Sequence, residues 1–178
     1  MFASSPNGGS ESMQMMYLIA ITSATRSIDL CSAYFVPDSI TNRALVSAVQ
    51  RGVKVRIILP GKHTDQATVR RASRGLWGPL LKAGIQIHEY QPTMFHCKLM
   101  IVDALMTSVG STNFDMRSFR MNDEANLNVY DSAFAERQTQ VFEEDLKRAK
   151  HITLEAWQQR PTWEKIKERT ATLFRQLL

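Results

Sequence analysis

Residues 53–59, VKVRIIL, are the clearest strand in the sequence and start directly after Gly52, and Gly52 closes a stretch of helical periodicity reaching back to Asp38 or Ser39. A second strand-like run, Ser27-Ile28-Asp29-Leu30-Cys31-Ser32, precedes that helix. Strand, helix, strand in this order demands a crossover, because two strands joined through a helix run parallel and the connection is right-handed. The expected fold is therefore α/β, a mixed, largely parallel sheet flanked by helices. Asp38 or Ser39 can cap the helix, Ile40, Leu45, Val46 and Val49 are expected to face inward, and Gly52 ends it. Pro37 takes the chain out of the sheet, since proline donates no ladder hydrogen bond.

With 178 residues, 44% of them hydrophobic, the chain fills one core rather than two. Residues 1–10 read as a flexible N-terminal arm and 11–178 as a single lobe. Helices are expected at 11–26 and at 132–151, where Phe134, Gln138, Val141, Phe142 and Leu146 share a side, and a strand at 85–90. From about 153 a helical tail is expected, broken at Pro161, with Trp157, Trp163, Ile166 and Leu173 as a stripe read first as packing and second as a lipid- or lobe-facing surface.

The net charge of +5 favours an anionic partner: nucleic acid, an acidic lipid surface or a phosphate substrate. Lys62, His63, Asp65, Arg70, Arg71 and Arg74 cluster after a strand's end, where open sheets place ligands, and Arg70, Arg71 or Arg74 could face lipid headgroups. Cys31 and Cys97 sit in apolar contexts and are read as free thiols of a reducing compartment. No apolar run reaches the roughly 18–20 residues that span a bilayer, and no signal peptide opens the sequence.

The chemistry concentrates in FHCKLMIVDALMTSVGSTNFDMRSFRMNDEANL, residues 95–127. In an extended strand His96 and Lys98 emerge on one face and Cys97 on the other. Leu99 to Val102 suits a strand buried on both faces, Asp103 ends it, and a second apolar run returns to Gly110 beside it. Ser111 and Asn113, two apart, are expected to share a face. An imidazole, an ammonium, a hydroxyl and a carboxamide then converge with no acid among them, which suits an anion, a tetrahedral phosphate best. Glu124, on a third candidate strand at 124–130, is placed to fix the imidazole tautomer. No histidine has a partner at a zinc-ligand spacing, Gly110-Ser111 lacks a nucleophile-elbow pattern, and Gly61-Lys62-His63 is no P-loop.

His96, Lys98 and Asp103 in H-x-K-x-x-x-x-D, then Gly110-Ser111-Thr112-Asn113 and Glu124, resemble the HKD motif of the phospholipase D superfamily. The longer wording, from Tyr90-Gln91-Pro92 to Asn122-Asp123-Glu124-Ala125-Asn126-Leu127, is most similar to the C-terminal half of bacterial cardiolipin synthases. Ala104 departs from the glycine that usually follows the aspartate. The resemblance implies His96, Lys98, Asp103 and Glu124 as catalytic residues, and Lys98, Ser111 and Asn113 as phosphate ligands. It implies no metal or other cofactor. His96 would be nucleophile or general acid, and Asp103 would support its own neighbourhood rather than touch substrate. The loop at Tyr34-Phe35-Val36, otherwise read as core aromatics, would wall the site.

The implied activity is cardiolipin synthesis from two phosphatidylglycerols through a phosphohistidine, at the cytoplasmic face of the bacterial membrane. One HKD copy makes half a site, so the implied partners are an anionic phospholipid and a second HKD lobe, from a missing N-terminal half or a homodimer. The alternatives are a homodimeric, metal-independent endonuclease, whose partner would be nucleic acid, and an inactive isolated lobe.

Overall fold

The structure is a computed structural model and describes residues 2–5 and 11–173. The chain begins with β1 (Phe2–Ser4) and α1 (Glu11–Ser23), then β2 (Ser27–Ser32), the short β3 (Phe35–Val36), α2 (Ser39–Gln50) and β4 (Lys54–Pro60). It continues through α3 (Ala67–Ala83), β5 (Gln86–Tyr90), β6 (Lys98–Val102), β7 (Met106–Gly110) and β8 (Phe114–Asp115). The last elements are α4 (Met116–Arg120), β9 (Glu124–Tyr130), α5 (Ser132–Lys147), β10 (Ala149–Ile152), α6 (Leu154–Gln158) and α7 (Thr162–Leu173).

Eight strands form one sheet in the order β1-β9-β7-β6-β2-β4-β5-β10, and β3 pairs with β8 in a small separate one. The α/β class and the mixed sheet stand as expected, with parallel pairing at β2–β4 and β4–β5, the two helix crossovers. The sheet is not largely parallel, however: every other neighbouring pair in it is antiparallel. The reason is local. Asp103 and Ala104 both adopt positive φ, 56° and 52°, and Leu105 N–H donates to Val102 O, so β6 turns straight back into β7 with no room for a crossover.

Burial alternates with the pleat. Ile28, Leu30, Met100 and Val102 join the main core with Met13, Tyr17, Leu45, Ile57 and Leu80. Cys31, Leu99 and Ile101 point the other way, under Phe142 and Ala135 of α5. Both faces of the central strands are thus covered, which is why they read as continuous apolar runs. Asp38 caps α2 as expected, accepting from Thr41 N. On that helix Thr41, Leu45 and Ala48 face inward, whereas Ile40 is exposed.

Three more expectations are corrected. The arm is in part structured, because Phe2–Ser4 pairs with β9, while residues 6–10 lie outside the described ones. The helix at 132–151 stops at Lys147, since Ala149–Ile152 pairs with the edge of β5, and Val141 is exposed. In the tail Trp157 packs against Gly78 of α3, but Trp163, Ile166 and Leu173 are exposed, because α7 turns its glutamates toward Arg74 of α3.

Candidate active site

Antiparallel pairing brings the C-terminal ends of β2 and β7 to the same sheet edge as the N-terminal ends of β6 and β9. Ser32 pairs with Lys98, Leu99 with Val109, and Gly110 with Asn126. His96, Lys98, Ser111, Asn113 and Glu124 all lie at this edge, though on connectors more than the sequence pattern implied. Regular strand starts only at Lys98, so His96 lies just ahead of β6, and β7 ends at Gly110, so Ser111 and Asn113 occupy the link to β8.

His96 is exposed, and its ring meets the Tyr34 ring edge-on at 5.8 Å between centroids. Cys97 turns away into the second core, as expected, and both thiols are free. Lys98 Nζ donates to the His96 carbonyl at 3.1 Å. Burial holds the Lys98 ammonium below its usual range, against the opposing pull of Glu124, Asp65 and Asp115. A cation half withdrawn from water in this way gains most from a phosphate oxygen.

Tyr34 links the end of β2 to the connector that carries Asn113. Its N–H donates to Asn113 Oδ1 at 3.2 Å and its carbonyl accepts from Ser32 Oγ at 2.6 Å. Ser32 Oγ in turn accepts from Phe114 N at 3.1 Å, beside the β3–β8 pair. With its carbonyl oxygen occupied, Asn113 has Nδ2 left to donate to a ligand. The Tyr34 hydroxyl donates to Asp65 at 2.6 Å, and burial and that carboxylate push the phenol up to about 12. So the loop does wall the site through Tyr34, while Phe35 is core. A recess of about 220 Å³ opens beside Asn113, lined also by Tyr34, Gln66, Asp115, Arg117 and Asn122.

Glu124 is buried, but it is not bonded to its own His96. It accepts from Ser111 Oγ and, at 3.2 Å, from Asn122 Nδ2, and Ser111 Oγ accepts from Ala125 N. Asp103 lies at the opposite end of β6 from Lys98, bound to Thr25, Arg26 and Ser27. Beneath the connector, Asn126 accepts from Thr112 Oγ1 at 2.8 Å and donates to Tyr17 and Ser108. Gly110 lies so close to Ala125 O and Asn126 that any side chain would collide with them. Among the described residues, no group of three or more His, Cys, Asp or Glu is placed to hold a metal ion.

Residues 17–146 match the family described as cardiolipin synthase, PLD-like domain. The chain belongs to this family. A cardiolipin synthase of Geobacillus sp. (strain WCH70) is 40% identical over 178 residues, all of this chain and 35% of that protein. The chain thus spans about a third of the length of the curated relatives it matches. In fold, the lobe is similar to Nuc from Salmonella typhimurium, a phospholipase D family member, with TM-score 0.74 and 22% identity over 85% of this chain and 97% of that one. Phosphatidylserine synthase from Haemophilus influenzae gives TM-score 0.75 at 12% identity, over 93% of this chain and 44% of that one.

Within this phospholipase D-like lobe, Asp115, Asn122 and Asn126 lie against the candidate site, and sequence reasoning gave them no role there. Asp115 and Asn126 are isolated polar residues among apolar ones, the pattern of a buried hydrogen-bonded group. Asn122 gives no signal until Glu124 is seen beside it.

Proposed function

We propose that this lobe supplies one half-site of a phosphatidyl transferase that joins two phosphatidylglycerols into cardiolipin and releases glycerol. The observation that carries this reading is that exposed His96, half-buried Lys98 and the oriented Asn113 stand at one sheet edge in a chain of this family. A donor set of this kind stabilises the charge of a phosphoryl transfer without a metal. The open side of the site is where a second HKD lobe would close it.

One imidazole attacks phosphorus, the P–O bond to glycerol breaks, and the opposed imidazolium gives the departing alkoxide its proton. That imidazole then takes the proton of the acceptor phosphatidylglycerol hydroxyl as its oxygen displaces the phosphohistidine nitrogen. His96 fills one of these roles, that of acid and base, and the facing lobe's imidazole is the nucleophile. Lys98 and Asn113 hold non-bridging oxygens. Ser111 and Asn122 position Glu124, whose carboxylate makes no bond to His96 in the free lobe and is assigned to the facing lobe's imidazole. Asp103 acts as scaffold. The lobe works at the cytoplasmic face of the bacterial membrane.

The test is turnover of phosphatidylglycerol with EDTA present, in the assembly that contains both lobes. Cardiolipin and glycerol should appear, and His96→Asn should abolish them with the fold intact. Undiminished turnover in that variant, or cleavage of DNA with none of the lipid, would overturn the reading.

A further inference from the structure

α7 packs on α3 with its polar side. Glu168, 3% exposed, accepts from Arg74 Nε at 2.9 Å and from Arg160 Nε at 2.7 Å. Glu164 lies 4.0 Å from Arg74, and Ala171 and Thr172 complete the contact at Val69, Ala72 and Gly75. The apolar side is left to solvent: Trp163 is 57% exposed, Ile166 61% and Leu173 77%. At about 100° per residue these three fall within one sector of roughly 80°, opposite Glu164, Glu168 and Ala171.

Charge is segregated along the same axis. Both carboxylates of α7 are turned toward arginines, while Lys165, Lys167 and Arg169 are exposed and flank the apolar sector. Lys167 lies over the Trp163 ring at 4.7 Å, and a recess of about 230 Å³ between these two and α3 adds the exposed Arg71. An apolar stripe with tryptophan, bordered on both sides by cations, is the pattern of a helix lying in a lipid–water interface. The cations match anionic headgroups. No described helix is long and apolar enough to cross a membrane, so such a contact would be peripheral. The placement serves the site as well. Ala171 belongs to a small cluster with Val36, Val69 and Ala72, against which Tyr34 packs, so α7 is tied to the rim of the active site.

We propose that α7 docks this lobe on an anionic lipid surface, with Trp163, Ile166 and Leu173 at the headgroup–acyl boundary and Lys165, Lys167 and Arg169 against lipid phosphates. This contact is separate from substrate capture at His96 and Lys98 and does not depend on the catalytic reading.

The experiment is co-sedimentation of the full chain, carrying His96→Asn and Lys98→Ala to remove substrate binding, with vesicles of phosphatidylcholine alone or mixed equally with phosphatidylglycerol. Binding to the mixed vesicles should exceed binding to phosphatidylcholine at least tenfold and fall as salt is raised. Trp163→Ser with Ile166→Ser should lower it tenfold or more, and Lys165→Glu with Lys167→Glu and Arg169→Glu should remove the preference for the anionic lipid. All these side chains are exposed, so melting temperature and circular dichroism should be unchanged. Absence of binding, or equal binding by parent and both variants, would overturn the proposal. So would self-association, seen by sedimentation velocity, that the Trp163 and Ile166 substitutions abolish, since the face would then be a protein interface.

Discussion

Asp103 and Ser27 hold each other by two reciprocal hydrogen bonds: Ser27 N–H donates to Asp103 Oδ1, and Asp103 N–H donates to Ser27 O, each at 2.9 Å. The same carboxylate accepts from Thr25 N, Thr25 Oγ1 and Arg26 N, which holds it below the usual carboxylate range. Asp103 therefore clamps the entry to β2 onto the β6–β7 hairpin. Asp103→Ala should cost about 1–3 kcal/mol of stability, since bonds to an ionised group are lost, while turnover per folded molecule stays near the parent value. Denaturant melts and activity per folded molecule check the two halves of that statement. The lowered pKa sets the sign with pH: the contribution is present above the ordinary carboxylate value and fades as pH falls through the lower folded one.

Next to it, Ala104 holds φ of 52°, a conformation that glycine adopts without a side-chain penalty. Ala104→Gly should stabilise the protein by about 0.5–1 kcal/mol, with activity unchanged, because relief of the turn outweighs the greater freedom of the unfolded chain. A chemical denaturation series read at constant slope checks it.

Arg56 of β4 and Asp29 of β2 form a buried pair, with Nε to Oδ1 at 2.6 Å and Nη2 to Oδ2 at 2.8 Å, and the guanidinium lies 5.0 Å from the Phe142 ring. Arg56→Met leaves Asp29 charged and unpaired and should cost about 3–5 kcal/mol. Adding Asp29→Leu should recover much of that loss, a coupling that a double-mutant cycle measures.

Burial pushes the Asp115 carboxyl up to about 6, against the pull of the Ser118 N–H it caps. A raised folded pKa means the neutral form fits the fold better, so this group's contribution is present at low pH and is lost as pH rises through about 6. The size is on the order of 3 kcal/mol. His88, pushed down to about 4 by burial and by His151 and Arg56, works the other way, losing stability as pH falls from its ordinary 6.5. Over that shared window the two oppose each other. Melting temperature against pH should thus rise more steeply between about 4 and 6 in Asp115→Asn than in the parent, and less steeply in His88→Gln.

Gly110 stands where the Ser111–Asn113 connector leaves β7, against Ala125 O and Asn126. Gly110→Ala should displace that connector, costing about 1–3 kcal/mol of stability. Turnover should fall on the order of 10–100-fold, because Asn113 loses its position. Paired melting and rate measurements separate the two effects.

Much of the site was legible because its groups lie at fixed short spacings around two apolar runs. His96, Lys98, Ser111, Asn113 and Glu124 do reach one sheet edge, and Ser27–Ser32 is a strand at the expected bounds. Local pattern failed where a partner from far along the chain decides. That Glu124 meets Ser111 and Asn122 rather than His96 depends on how β7 and β9 pair. That Tyr34 walls the site depends on β3 meeting β8, 79 positions away in its bond to Asn113.

The amino-acid order by itself determined the crossover units, the caps of α2 and the clustering of His96, Lys98, Ser111 and Asn113, because periodicity, proline, glycine and spacing act within a few residues. Tertiary structure alone decided where the β6–β7 hairpin sits in the sheet and which face α7 turns inward. Both rest on long-range partners: Asp103 with the Thr25–Ser27 backbone, and Arg74 with Glu168. A buried carboxylate must meet its cation wherever the fold has placed it, even at the cost of leaving Trp163 in water.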